Sequence, residues 1–254
     1  MVFKYYTTKT YVKTAVYIFF LCFLYTVVNF SFGASFKSSK QSLEENVYPF
    51  KGETFYCKCK YSKKSIKPKG CNLKVNKFLN RKYRLEWEHV VPAHAFGHSF
   101  KEWRQPEKYC KREKSHKKIS PRKCAKRNKL YKEMESNIYN LVPTVGSINA
   151  IRSNYSFAEL GENALTLCSN GFKILKNKVM PPNNIKGDIA RIYMYMSQKY
   201  PGRGIISKKN KKLFQAWNKL DPVSISECEL SQKKSLVQGE HNPFVFDECK
   251  KGIK

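Results

Sequence analysis

The sequence predicts a single, disulfide-linked α+β domain of mixed, largely helical structure. Three observations predict this class: a carboxylate-rich strand near residue 86, amphipathic helix patterns after residue 186, and an even set of cysteines beyond an apolar N-terminal segment. The chain has 254 residues. The roughly 220 that follow the N-terminal segment suffice for one sizeable hydrophobic core. No internal repeat and no long Gly, Ser or Pro linker divides them.

Residues 1–34 predict a secretory signal peptide, which leaves residues 35–254 as the mature domain. Three lysines precede an apolar run from Ala15 to Phe32. An uncleaved membrane anchor is the alternative, because the run is about as long as a minimal spanning helix of ~17 residues. Cleavage is favoured because small residues end the run where a signal peptidase needs them: Ser31, Gly33 and Ala34.

Eight cysteines remain after removal of Cys22 with the leader, and an even set in an exported chain predicts four disulfides. Eight cysteines allow 105 connectivities, so the pairing stays open. The eight are Cys57, Cys59, Cys71, Cys110, Cys124, Cys168, Cys228 and Cys249.

Structural zinc is the rival use of these cysteines. Neither Cys57-x-Cys59 nor the spacing of the histidines after residue 88 matches a standard zinc signature. Exported thiols also tend to oxidise. We therefore interpret His94 and His98 as loop histidines rather than metal ligands.

The formal charge of +30, which becomes +27 without the leader, suits few partners other than polyanions. Residues 101–132 hold fourteen Lys or Arg and three Glu, and Cys110 and Cys124 flank the densest part. This pattern predicts a long, disulfide-linked basic loop. A charge run is often only a solvated face. The position of this one, directly after the carboxylate-rich strand, favours a role in gripping phosphates.

Two helices are predicted near the C-terminus. The first begins near Lys186 and ends at Pro201-Gly202, with an apolar face that predicts core packing: Ile189, Ile192, Tyr193, Met196 and Tyr200. In the second, a run of lysines precedes Leu213, Phe214 and Trp217, which predicts one buried side and lysines in water. A protein acting on anionic membranes would need an exposed basic amphipathic helix, and these helices predict buried apolar faces.

The segment from Arg84 to Pro92, with the sequence RLEWEHVVP, is the candidate active site. It concentrates two carboxylates and an imidazole in a chain with only 19 acidic residues against 49 Lys and Arg. Hydrolysis of a phosphodiester needs a base for the attacking water and positive charge on the phosphate and departing oxygens. A hard cation with oxygen ligands can supply the charge. An imidazole is largely unprotonated at about pH 7 to 8 and can take the proton.

This segment resembles the bacterial endonuclease I family, periplasmic or secreted nucleases with a ββα-metal (His-Me finger) motif. The likeness extends over nearly all of the chain after about residue 45, through four further segments: Asn140 to Pro143, Asn149 to Tyr155, Ala216 to Val223 and Val237 to Val245. It implies hydrolysis of DNA, and of RNA as well, with little sequence preference and with 5′-phosphate ends. It also implies one Mg²⁺ per site, with Mn²⁺ as an alternative.

The resemblance implies that Glu88 and Asn140 ligate the metal and that His89 is the general base. Asn140 also has a structural interpretation, as the cap of a helix beginning near Pro143. On a regular strand Glu88 and His89 face opposite sides, so they share a site only if the strand ends, twists or bulges there. Without such a distortion Glu86 becomes the natural partner of Glu88.

Arg122 matches the family arginine that contacts the scissile phosphate, with Arg127 or Lys123 as alternatives in the same loop. We expect nucleic-acid contacts from Lys123, Lys126 and Arg127. Arg152 is expected to orient Glu88 or to touch a phosphate. Helix-end roles, without catalysis, are predicted for Asn149, Arg152 and Asn154.

We expect a monomer with nucleic acid as substrate and no stable membrane association after leader cleavage. A non-enzymatic basic nucleic-acid-binding protein of the periplasm or cell surface is the alternative, because charge alone suits it equally well. The combination of Glu88, His89 and Asn140 favours the enzyme, since a simple binder has no need of it.

Overall fold

The computed structural model describes residues 35–67, 69–110 and 119–252. The predicted leader and the densest part of the basic segment, residues 111–118, lie outside the described residues. The described residues form one compact unit in which helices and strands mix, which confirms the predicted α+β class. No helix among them is long and apolar enough to span a bilayer.

Helices make up most of the regular structure. In chain order they are α1 (Phe36–Ser42), α2 (Ala93–Gly97), α3 (Lys101–Arg104), α4 (Pro106–Tyr109), α5 (Pro121–Ala125), α6 (Lys129–Ser136), α7 (Gly146–Arg152), α8 (Lys186–Lys199), α9 (Lys208–Leu220), α10 (Ile225–Gln238) and α11 (Pro243–Lys250). A π-helical turn (Leu43–Val47) extends α1, and 3-10 turns occupy Leu79–Arg81, Ile138–Asn140 and Asn183–Ile185.

The strands form three small sheets. They are β1 (Lys51–Glu53), β2 (Lys60–Ser62), β3 (Ser65–Lys67), β4 (Leu85–His89), β5 (Leu141–Val145), β6 (Ser156–Phe157), β7 (Leu165–Thr166), β8 (Lys173–Leu175) and β9 (Lys178–Met180). The first three form an antiparallel meander, β4 pairs with β5, and the third sheet has the order β6-β9-β8-β7 with β6 and β9 parallel.

The strand pair β4 and β5 and the helix α7 form the ββα arrangement that the resemblance implied. The two strands run antiparallel in register, from Leu85 opposite Val145 to His89 opposite Leu141. The helix predicted to begin near Pro143 begins instead at Gly146. The preceding five residues are all buried and rich in β-branched side chains, which favours a strand. Pro143 is tolerated because a strand of a two-stranded sheet has an unpaired edge.

The two predicted C-terminal helices are present as α8 and α9. All five residues of the predicted apolar face of α8 are buried, and so are Phe214 and Trp217 of α9. The two helices contact each other through the stacked rings of Tyr193 and Phe214, whose centroids lie 4.4 Å apart. The amphipathic pattern therefore reports core packing, as predicted.

All eight cysteines are paired, which confirms the predicted disulfides and excludes a zinc role for Cys57 and Cys59. The pairs are Cys57–Cys168, Cys59–Cys71, Cys110–Cys124 and Cys228–Cys249. Cys57–Cys168 joins the meander to the third sheet. Cys59–Cys71 closes the loop that contains β2 and β3. The third links Cys110, at the end of α4, to Cys124 in α5. The prediction of a plain loop over residues 101–132 needs correction, because its described parts carry the short helices α3 to α5 and the start of α6.

Candidate active site

A cavity of about 790 Å³ opens along β4. Its walls come from β4, α1, α2, α5 and α7, so segments far apart in the sequence meet there. Six charged or polar residues with a predicted or possible role in chemistry line it: Glu86, Glu88, His89, Arg122, Asn149 and Arg152.

Strand β4 stays regular through His89, without a bulge or a change of register. Glu86 and Glu88 therefore share the face that α7 covers. The Oε2 atom of Glu86 accepts a 3.0 Å hydrogen bond from Asn149 Nδ2, and Glu88 Oε1 lies 3.0 Å from Arg152 Nη1. His89 points to the other face, toward α1, and reaches the same cavity around the strand edge.

Glu88 is a buried carboxylate that forms an ion pair with the buried Arg152. Burial raises its pKa to about 7, Arg152 opposes the rise, and Glu86 adds to it. Although Arg152 is close, Glu88 Oε1 makes no hydrogen bond to any described residue. The ion pair leaves this buried oxygen without an aligned hydrogen bond, which is costly, so the carboxylate can accept a further cation.

Asn140 and Asn149 occupy different environments. Asn140 is fully buried and does not line the cavity. Its Oδ1 accepts from Val91 N at 2.7 Å and its Nδ2 donates to Val91 O at 2.9 Å, so both amide atoms are used in joining β5 to the end of β4. Asn149, by contrast, presents a half-buried amide to the cavity beside Glu86. Sequence reasoning gave Asn149 only a helix-end role, although a ββα order places the helix beside the first strand.

His89 is held in one orientation. Its Nε2 lies 2.8 Å from the carbonyl oxygen of Glu135. A carbonyl only accepts, so Nε2 carries the proton and Nδ1 is the available acceptor. The ring of Phe36 packs on the imidazole with centroids 4.7 Å apart. Burial and the positive charges of Arg122 and Arg152 lower the pKa of His89 to about 3, against the opposing effect of the Glu135 carbonyl. The imidazole is therefore neutral near pH 7.

Arg122 lies between Glu135 and the cavity. Its Nε donates to Glu135 Oε1 at 2.6 Å, while Lys126 Nζ lies 3.2 Å from Glu135 Oε2. Its side chain nevertheless keeps 43% of its surface exposed, and the guanidinium carbon lies 5.6 Å from the centroid of the Phe36 ring. Sequence reasoning missed Phe36 and Glu135, and nothing in the local sequence singles either one out.

The remaining predicted residues lie around this centre. Arg152 is fully buried, and its Nη1 and Nη2 donate to the carbonyls of His89 and Val90 at 3.1 and 2.5 Å. It contacts Glu88, the first of its two predicted roles, and its burial keeps it from a substrate phosphate. The predicted nucleic-acid contacts do not line the cavity but are exposed in or just after α5, next to Arg122: Lys123, Lys126 and Arg127.

The donor set on the α7 face fits a hard divalent cation. Among the described residues, no group of three or more His, Cys, Asp or Glu side chains could hold a metal ion. A buried carboxylate and an amide, those of Glu88 and Asn149, nevertheless lie there, and Arg81 and Arg84 hold Glu86 beside them. Mg²⁺ commonly takes only one or two protein carboxylates and keeps several waters. The unsatisfied Oε1 atom of Glu88 is the observation that favours this fit.

The known proteins that this chain resembles are nucleases, which agrees with the chemistry of this site. The profile of the family described as Endonuclease I matches residues 25–249. The chain is 38% identical over 204 residues to Endonuclease-1 of Buchnera aphidicola subsp. Acyrthosiphon pisum, covering 78% of this chain and 75% of the relative. It is 34% identical to an extracellular deoxyribonuclease of Aeromonas hydrophila, covering 85% and 90%. It is 33% identical to a periplasmic deoxyribonuclease of the same organism, covering 85% and 86%. The predicted periplasmic or secreted location agrees with the last two names.

Proposed function

The chain belongs to the endonuclease I family, and from this premise we propose that it is an exported, metal-dependent endonuclease that cuts DNA, and also RNA, with little sequence preference. Membership makes it a nucleic-acid-hydrolysing enzyme, and the family generally depends on divalent metal ions. The observation that carries the finer proposal is that a neutral imidazole, an arginine and a carboxylate pair with an amide line one cavity.

Glu88 and Asn149 are the residues that would hold the ion, Mg²⁺ or Mn²⁺. Glu86 is already paired with Arg81 and Arg84 and accepts from Asn149, so it would position the amide. Asn149 takes the place of Asn140 in this proposal, because Asn140 has both amide atoms bonded to the backbone of Val91. When bound, the ion supplies positive charge to the phosphate oxygens and to the departing oxygen. A cation beside Glu88 also favours its ionised form against the effect of burial.

His89 acts as the general base. Its Nδ1 atom takes the proton of the attacking water, while the bond from Nε2–H to the Glu135 carbonyl holds the ring in place. A pKa near 3 makes a weak base. The positive charge of Arg122 contributes to that low value, and a phosphodiester arriving beside Arg122 offsets its effect. The base therefore strengthens when substrate binds.

Arg122 offers a planar, charged fork to the scissile phosphate. Glu135 holds the guanidinium through Nε, which fixes its direction before substrate arrives. Charge that builds on the phosphate oxygens is then stabilised without reorganisation of the site. The water oxygen bonds to phosphorus as the bond to the 3′ oxygen breaks, which leaves a 5′-phosphate and a 3′-hydroxyl. Further contacts to the sugar-phosphate backbone of the nucleic acid come from Lys123, Lys126 and Arg127, and such contacts carry no sequence information.

The test is cleavage of supercoiled plasmid by the oxidised, leader-free protein in Mg²⁺, with EDTA and His89→Ala as parallel arms. We expect nicking that both arms abolish, and nicks that a ligase can reseal because they carry 5′-phosphates. If the protein binds the plasmid and leaves it uncut with each of several divalent metals, the proposal is wrong and the protein is a non-enzymatic binder.

A further inference from the structure

We propose that His94 and His98 form a separate metal site, for a transition-metal ion such as Cu²⁺ or Zn²⁺, at the rim of the cavity. The expectation that both are loop histidines needs correction, because His94 lies in α2 and His98 caps the end of that helix, four residues later. Both side chains are exposed, and His94 also lines the cavity along β4. Neither residue has a role in the proposed reaction.

The two imidazoles are already at the separation that a metal ion requires. Their Nε2 atoms lie 3.1 Å apart. Two Zn–N bonds of ~2.0–2.1 Å at a tetrahedral angle place their nitrogens about 3.3 Å apart. Histidines four residues apart on a helical turn face the same side, which is the arrangement that zinc-binding helices use. An ion can therefore replace the proton shared between the rings with little movement of either side chain.

Neighbouring groups hold the pair in place. The Trp103 ring contacts both imidazoles, with centroids 5.9 Å from each. The Arg104 Nη1 atom donates to the carbonyl of His98 at 2.6 Å, which fixes the end of α2. Partial burial and the neighbouring His98 lower the pKa of His94, which keeps its ring in the neutral form that binds metal.

The ligand type separates this site from the carboxylate face of β4. Imidazole nitrogen suits Zn²⁺, Cu²⁺ and Ni²⁺, whereas Mg²⁺ prefers oxygen. Excess Mg²⁺ should therefore leave the histidine pair accessible to a softer ion. Because the site has only two protein ligands and the chain is strongly basic, we expect a reversible site that binds Cu²⁺ more tightly than Zn²⁺, in the usual order of divalent affinities.

The experiment is a Cu²⁺ titration of the mature, oxidised protein in saturating Mg²⁺, followed by electron paramagnetic resonance and repeated with Zn²⁺ by calorimetry. His98→Ala is the test variant. His241→Ala is the matched control, since His241 is another exposed histidine and its ring stacks on Phe246. His116→Ala covers the histidine outside the described residues.

We expect one ion per chain with nitrogen coupling from two imidazoles in the wild type and in both controls. In His98→Ala the affinity should fall by at least about tenfold, since loss of even an outer partner of a ligand costs ~10–100-fold. The midpoint of thermal unfolding without added ion should be equal in all four proteins. Equal affinity of wild type and His98→Ala, or coupling from a single nitrogen in the wild type, would overturn the proposal. These readouts do not involve cleavage, so failure of the nuclease proposal leaves them decisive.

Discussion

Alanine substitutions at Asn140 and Asn149 should have opposite effects on stability and on catalysis. Asn140 uses both amide atoms to satisfy the backbone of the buried Val91, whereas Asn149 makes one bond, to Glu86, in the cavity wall. Asn140→Ala should therefore act through folding. Asn149→Ala should act through the chemistry.

The expected losses in the free energy of unfolding follow from the hydrogen bonds that each substitution removes. Asn140→Ala leaves the N–H of Val91 without its acceptor and removes a donor from its C=O, at about 1–3 kcal/mol for each buried group. The expected loss is about 2–6 kcal/mol, a large part of the ~5–15 kcal/mol typical of a domain. Asn149→Ala removes one hydrogen bond from a half-buried site and should cost about 1 kcal/mol. As a proposed metal ligand, it should lower the cleavage rate by about a hundredfold or more.

Stability is measured by urea unfolding of the oxidised proteins, and catalysis by the initial rate of plasmid nicking across a range of Mg²⁺ concentrations. The comparison is made at a temperature where both variants are folded. Gln238→Ala, which removes a single bond to Ile138 N near Asn140, is the control for the loss of one hydrogen bond outside the cavity. An Asn140→Ala protein of wild-type stability that no longer responds to Mg²⁺, beside an active Asn149→Ala protein, would refute the assignment.

Three further predictions concern other parts of the molecule. Phe36→Ala should bring the pKa of His89 closer to its ordinary value, because burial is the main cause of its lowering, and should nevertheless slow nicking about tenfold, because the Phe36 ring no longer holds the imidazole in place; Phe36→Leu is the control, and an unshifted imidazole titration by NMR would contradict the idea. Burial lowers the pKa of Lys234 to about 7. The unfolded lysine then binds the proton more tightly between about pH 7 and 10.4, so unfolding free energy should rise with pH there by up to ~1.4 kcal/mol per unit; a slope in urea unfolding that persists in Lys234→Met would argue against this origin. Reduction of the four disulfides should abolish activity through unfolding, since each contributes roughly 2–4 kcal/mol; full nicking by verified reduced protein would show the bridges to be dispensable.

Several features could be predicted from the sequence because they depend on residues that lie close together in the chain. The apolar faces of α8 and α9 follow from the helical period. The cluster of Glu86, Glu88 and His89 follows from residues that are adjacent in the sequence. Alternation along a strand also predicted that Glu86 is the partner of Glu88 if β4 is regular, and β4 is regular. The ββα order came from the family resemblance, and the class of fold from the same patterns together with the cysteines.

The tertiary structure decided everything that depends on which distant segments meet. Asn140 as a cap, with a proline three residues later, suggested a helix start near Pro143. Pairing with β4 makes that segment a strand, because burial against a partner overrides local preference. The same pairing places Asn140 behind the strand end and Asn149 in the cavity, a distinction that no local pattern carries. The contacts of His89 with Phe36 and with the Glu135 carbonyl span 53 and 46 residues. The sequence by itself determined which chemical groups are present and which faces are apolar, whereas register and long-range packing determined which of those groups share the site.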